Sequence, residues 1–115
     1  MAQTFYKGDE VKFSIDLQVP GFSMDDNNFD VEVASPKASV KASKNASTDD
    51  LIIFDETVTP AEGDPYKVWY AIVDTTTLTT GDLKVIATAH IPDTYASGHM
   101  RRQSAVATLG TLKNA

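Results

Sequence analysis

The chain contains no cysteine. That excludes disulfides, thiol nucleophiles and zinc–thiolate sites in one step, and with them the usual support of a small secreted domain. Positive charge is scarce: 10 lysines and arginines stand against 16 acids, for a net charge of −6. Binding to nucleic acid needs a cationic surface that displaces counterions from phosphates, so no nucleic-acid partner is expected. The one adjacent basic pair is Arg101-Arg102, with Lys113 further on. Long apolar runs are missing too. No window approaches the roughly 18 apolar residues of a membrane helix, and no membrane partner is expected. The opening Met1-Ala2-Gln3-Thr4-Phe5-Tyr6-Lys7 lacks a basic start followed by an apolar stretch, so it predicts synthesis in the cytoplasm. A sustained 3.6-residue period is also lacking, which argues against amphipathic helices.

What is present is period-2 alternation. Val11, Phe13, Ile15, Leu17 and Val19 alternate with Lys12, Ser14, Asp16 and Gln18, predicting a strand over Glu10 to Val19 with one buried and one wet face; Pro20-Gly21 ends it. Phe29, Val31 and Val33 repeat the pattern against Asp30 and Glu32, and Ser39 to Lys44 reads as a short edge strand. Leu51-Ile52-Ile53-Phe54 is a short apolar run. Asp55 to Pro65 holds two prolines, a glycine and three more acids, and predicts a loop with at most a short extended piece at Val58. Tyr66 to Val73 is apolar at both phases, as in a central strand covered on both sides. Thr75 to Gly81 allows one helical turn. Leu83, Val85, Ala87, Ala89 and Ile91 form the inward phase of the next strand, Pro92 to Gly98 a loop, and Met100 to Leu109 a last strand. With 115 residues and 42% hydrophobic content, the expectation is one domain, 1–115, with a real core. Six or seven short strands joined by Pro, Gly and Asp turns predict an all-β antiparallel sandwich or small barrel.

Candidate chemistry is sparse. Asp26, Asn28 and Asp30 have the 1-3-5 spacing of a calcium loop, but the sixth and twelfth positions, which need glycine and a bidentate glutamate, are Val31 and Lys37. A connecting turn with local Asx hydrogen bonds is the better reading. His90 and His99 could join Asp93 at a metal, yet nothing in the spacing makes them converge. No Gly-x-Ser-x-Gly elbow or glycine-rich phosphate loop occurs. No catalytic, cofactor or metal site is therefore expected, nor a small-molecule substrate. The ring cluster Tyr66, Trp69 and Tyr70 reads either as core and subunit contact or as a sugar-binding platform, and the core reading is favoured because a sandwich tryptophan usually packs between sheets.

Three stretches carry a family resemblance: Phe5-Tyr6-Lys7-Gly8-Asp9-Glu10-Val11-Lys12-Phe13, Leu78-Thr79-Thr80-Gly81-Asp82-Leu83-Lys84, and Ile91-Pro92-Asp93 with Gly98-His99-Met100-Arg101. Together they resemble the small immunoglobulin-like β-sandwich proteins encoded among the virion genes of bacteriophages and prophages, in particular those of phages infecting Bacteroides-type hosts. The layout is similar to the N-terminal domain of phage upper baseplate proteins. The resemblance implies an immunoglobulin-like sandwich of about seven strands that acts as a virion structural protein: a capsid decoration, head-fibre base or tail/baseplate adaptor. Its partners would be other virion proteins and copies of itself. It brings no catalytic residues. The residues expected at partner contacts are Tyr66, Trp69, Tyr70, Ile86, Arg101 and Arg102; Ile86 would extend the ring patch if its strand pairs with Tyr66 to Val73. The alternative is a carbohydrate-binding or adhesin-like module. Because no ligand set is complete, EDTA should leave the melting temperature unchanged in differential scanning calorimetry. A large fall would mean that the Asp26/Asn28/Asp30 turn holds a cation.

Overall fold

The computed structural model describes residues 3–44, 46–92 and 100–115, the side chain of Met100 excepted. Eight strands form: β1 (Thr4–Tyr6), β2 (Glu10–Ile15), β3 (Phe29–Ala34), β4 (Ser39–Ser43), β5 (Leu51–Val58), β6 (Tyr66–Asp74), β7 (Gly81–Pro92) and β8 (Met100–Lys113). They build a five-stranded sheet, β1-β8-β7-β3-β4, packed against a three-stranded sheet, β2-β6-β5. All pairs are antiparallel except β1 with β8, which run parallel. This is an immunoglobulin-like sandwich: β2, β6 and β5 take the places of strands B, E and D, and β3, β4, β7 and β8 those of C, C′, F and G.

The inner faces follow the alternation read from the sequence. Val11 and Ile15 from β2, Phe29, Val31 and Val33 from β3, and Leu83, Ala87, Ala89 and Ile91 from β7 are all buried. Leu51 and Ile53 from β5 and Ala71 and Val73 from β6 complete the opposite wall. Each fully buried branched or aromatic side chain here contributes about 1.5–3 kcal/mol relative to exposure. Phe29 sits at the centre, edge-on to Phe22 at 6.4 Å and to Trp69 at 5.6 Å.

Thr75 is the buried polar residue of the core. It opens the 3-10 turn Thr75–Thr77, which Asp74 caps by accepting from the Thr76 backbone N–H. That bond and a second from the Thr76 hydroxyl hold the Asp74 carboxyl below its usual range. The Thr75 hydroxyl donates to Asp9 O at 2.6 Å and accepts from Gly8 N at 3.0 Å. It thereby ties the end of β6 to the three residues, Lys7 to Asp9, that carry the chain from one sheet to the other. Gly8 has φ +100° in that crossing, a conformation that favours glycine.

Several expected boundaries move. The first long strand stops at Ile15 rather than Val19, because β6 pairs with β2 only as far as Trp69; Leu17 still turns inward and is buried. β5 runs on through Asp55 and Glu56 to Val58, where a loop was expected, because those acids lie at a solvent edge and pair with Lys67 and Lys12. β8 extends four residues past Leu109, held by β1, which the sequence did not predict. Phe13 packs on the core only partly buried. Tyr66 to Val73 is central in its sheet but covered on one face. Pro92 closes β7, and the rest of the expected Pro92–Gly98 loop lies outside the described residues.

Phe29→Ala should cost about 3–5 kcal/mol, as for other core aromatic truncations. Phe13→Ala should cost less and Ser14→Ala almost nothing. Urea denaturation measures all three, and equal costs for Phe29→Ala and Ser14→Ala would mean that the inner and outer phases are misassigned.

Candidate functional site

The outer face of the three-stranded sheet is where polar patterning fails. On β6, Trp69, Ala71 and Val73 point inward, which leaves Tyr66, Val68, Tyr70 and Ile72 on the outside. The register places Ile52 opposite Ile72, Phe54 opposite Tyr70 and Val58 opposite Tyr66 on β5, with Glu56 opposite Val68 interrupting the β5 row. An apolar stripe therefore runs the length of the sheet, with Tyr66 54% and Ile52 42% exposed. Phe54 and Tyr70 stack at 5.8 Å and 27°. Lys12 crosses from β2 on the other side: its Nζ lies 4.4 Å from the Tyr70 ring centroid and donates to Glu56 Oε1 at 3.0 Å. A cation over exposed rings contributes about 0.5–1 kcal/mol, and an exposed ion pair less. The middle of the stripe is thus partly screened and its two ends, Ile52 and Tyr66, are bare.

Trp69 belongs to a different place. Its ring packs edge-on against Phe29, and its Nε1 donates to Asp25 Oδ1 at 2.8 Å. Lys44 stands 5.0 Å over the same ring and donates to the carbonyl oxygens of Met24, Asp25 and Asn27 at 2.7, 2.7 and 3.1 Å. The acidic segment that carries the calcium-like spacing is therefore wrapped around an ammonium group. Its carbonyls, the groups a bound cation would use, converge on Lys44. Asp30 is engaged elsewhere, 2.9 Å from His90 Nε2. Beside this corner, Ser23, Asp25, Trp69, Asp16, Lys67 and Tyr66 line an open cleft.

The residues expected at partner contacts are thus spread over three places. Tyr66 and Tyr70 lie on the outer stripe, and Trp69 lies inward beside the cleft. Ile86 cannot extend the stripe, because β7 belongs to the other sheet; its neighbour is Val106, which is 63% exposed on β8. Arg101 and Arg102 are exposed at the start of β8, where Arg102 pairs with His90 of β7 and Arg101 donates to Gln103 Oε1. His99 and Asp93 lie outside the described residues. Among the described residues no three histidine, aspartate or glutamate side chains gather as a metal site. No protein-family model, curated protein or solved structure matches the chain.

Sequence reasoning missed Lys44 and the apolar contribution of β5. Lys44 is seventeen to twenty positions from the carbonyls it binds, so no local pattern announces it. Ile52 and Phe54 were visible as an apolar run, but their face could be assigned only through the register with β6. Replacing Lys44 with methionine should cost roughly 1.5–3 kcal/mol, the range for hydrogen bonds to a charged group, and should shift the Trp69 fluorescence. An unchanged denaturation midpoint would show that the turn holds itself.

Proposed function

We propose that this chain is a non-catalytic assembly module, a structural protein of a bacteriophage virion made in the host cytoplasm and retained in the particle as a capsid decoration, head-fibre base or tail/baseplate adaptor. The observation that carries the reading is the outer stripe from Ile52 to Tyr66. A two-layer sandwich buries one face of each sheet, and an apolar band on the other face with bare ends at Ile52 and Tyr66 marks a contact surface. Exposed tyrosine, phenylalanine and isoleucine on a flat sheet suit a protein partner, where aromatic anchors carry much of the binding energy. The family resemblance of the sequence supplies the virion context, with other virion proteins and copies of the chain as partners and no cofactor.

A second reading, a carbohydrate-binding module, is favoured by the cleft beside Trp69, where a ring edge meets carboxylates, a serine and a lysine. It would use Tyr66 and Trp69, which line the cleft; Tyr70 does not line it.

Sedimentation velocity of the purified protein, alone and mixed with candidate capsid and tail proteins, separates the two. A complex that Ile52→Ser or Tyr66→Ser weakens by about tenfold, or 1.4 kcal/mol, is the expected outcome. Failure to bind any of them, together with saturable glycan-array binding lost on Trp69→Ala, would replace the assembly reading with the carbohydrate one.

A further inference from the structure

The two sheets part on one side, where β2 is the edge of one sheet and the three-residue β1 is the edge strand of the other, leaving most of β8 outside its pairing. β1 covers only Thr111–Lys113 of β8, and the Thr111 N–H bond to Gln3 O at 2.9 Å marks where that cover ends. The stretch Arg101–Leu109 has β7 on one side and no strand on the other among the described residues. A bare edge of this length is a template for a further strand. Natural edges are commonly blunted with lysine or proline, yet residues 103–112, Gln-Ser-Ala-Val-Ala-Thr-Leu-Gly-Thr-Leu, contain neither and carry no charge. Beneath this edge Ile15, Leu17, Val85, Ala87, Ala105 and Ala107 line an open groove. The inner layer of the sandwich is therefore left unfinished on this side.

We infer that the open edge of β8 pairs antiparallel with β8 of a second copy about a two-fold axis at Ala105, joining two five-stranded sheets into one. Charge selects both the occupant and the register. The chain is acidic overall, so the acid-bearing edge β5 repels its own copy, whereas residues 103–109 of the bare β8 edge carry no charge, and there a second copy meets no like charge. The pairing window is bounded by Arg101 at one end and by β1 at the other, and its midpoint is Ala105. About that midpoint Arg101 faces Leu109, Arg102 faces Thr108 and Gln103 faces Ala107, so no like charges stand directly opposite, an arrangement that would destabilise the pair. A slip toward the arginines brings the four guanidinium groups together. The other edges fit less well. β5 has its first residues bonded by Thr48 and Ser47 and its acids paired with Lys67 and Lys12, while β4 carries Lys41, which would face the arginines. In the joined sheet the small Ala105 and Ala107 of each copy lie beside the groove of the other. A two-fold contact of this kind is closed and ends at the dimer.

This interface deepens the assembly reading, but its test needs no other virion protein. The chain has no cysteine, so a single Ser104→Cys, Ala105→Cys or Val106→Cys introduces the only thiol. Residues opposite each other in an antiparallel pair have Cα atoms about 4.5–5.5 Å apart, within the span of a disulfide. Under mild oxidation Ala105→Cys should give a covalent dimer faster than its neighbours and far faster than Thr57→Cys on the β5 edge. Sedimentation velocity should show a wild-type dimer at micromolar concentration. Ala105→Lys should convert it to a folded monomer with unchanged circular dichroism, and Tyr66→Ser should leave it dimeric. A wild-type monomer with no preferred cross-link overturns the inference, as does a dimer lost on Tyr66→Ser and indifferent to Ala105→Lys. Either result leaves the assembly reading standing if virion proteins still bind. A β8 dimer that binds no virion protein supports the inference while removing that reading.

Discussion

The arrangement turns on one crossing. Between Tyr6 and Glu10 the chain leaves the five-stranded sheet and enters the three-stranded one, and the buried hydroxyl of Thr75 holds that crossing by bonding to both Gly8 and Asp9. A buried hydroxyl without partners would be costly; here both its donor and an acceptor function are used. Because the crossing is so early and so tight, β1 is short. It pairs only with Thr111, Leu112 and Lys113 of β8, and among the described residues no strand lies outside β2. The unpaired stretches of β8 and β2 on this side of the sandwich follow from that geometry.

Gly110 belongs to the same constraint. A side chain there would stand 2.5 Å from Gln3 O and 2.7 Å from Phe5 Cε2. The parallel pair with β1 therefore depends on a glycine just after the bulge between β7 and β8. The bulge re-phases the long strand: on one side of it Leu112 is buried, and on the other Arg101 to Thr108 are exposed at both phases. Among the described residues, one strand thus serves as core at its end and runs without a second strand neighbour along most of its length.

Two corners of the molecule use cations in place of metal or disulfide support. Lys44 gathers three carbonyls beneath Trp69, and Lys12 lies over Tyr70 and Phe54 while reaching Glu56. The first is partly buried and organises the turn before β3. The second is exposed and contributes little to stability, but it divides the outer stripe into a screened middle and two bare ends. These lysines leave Ile52 and Tyr66 uncovered.

The sequence by itself determined the all-β class, the inward phase of β2, β3 and β7, and the absence of cysteine chemistry, because alternation is a local property that a two-sided sheet reads directly. One helical turn within Thr75 to Gly81 was also anticipated, and the 3-10 turn Thr75–Thr77 falls there. Which sheet each strand joins was not. Ile86 and Tyr70 look alike in the sequence, as outward apolar residues of apolar strands, yet they lie on opposite faces of the molecule, and Trp69 and Tyr70 are adjacent but separated by the sheet. The partner of the acidic 24–30 turn, Lys44, and the strand β1 that ends the free edge of β8 are equally invisible, since both arise from contacts between residues far apart in the chain. Strand order is settled by how the whole set of apolar faces closes around Phe29, and no local pattern encodes that.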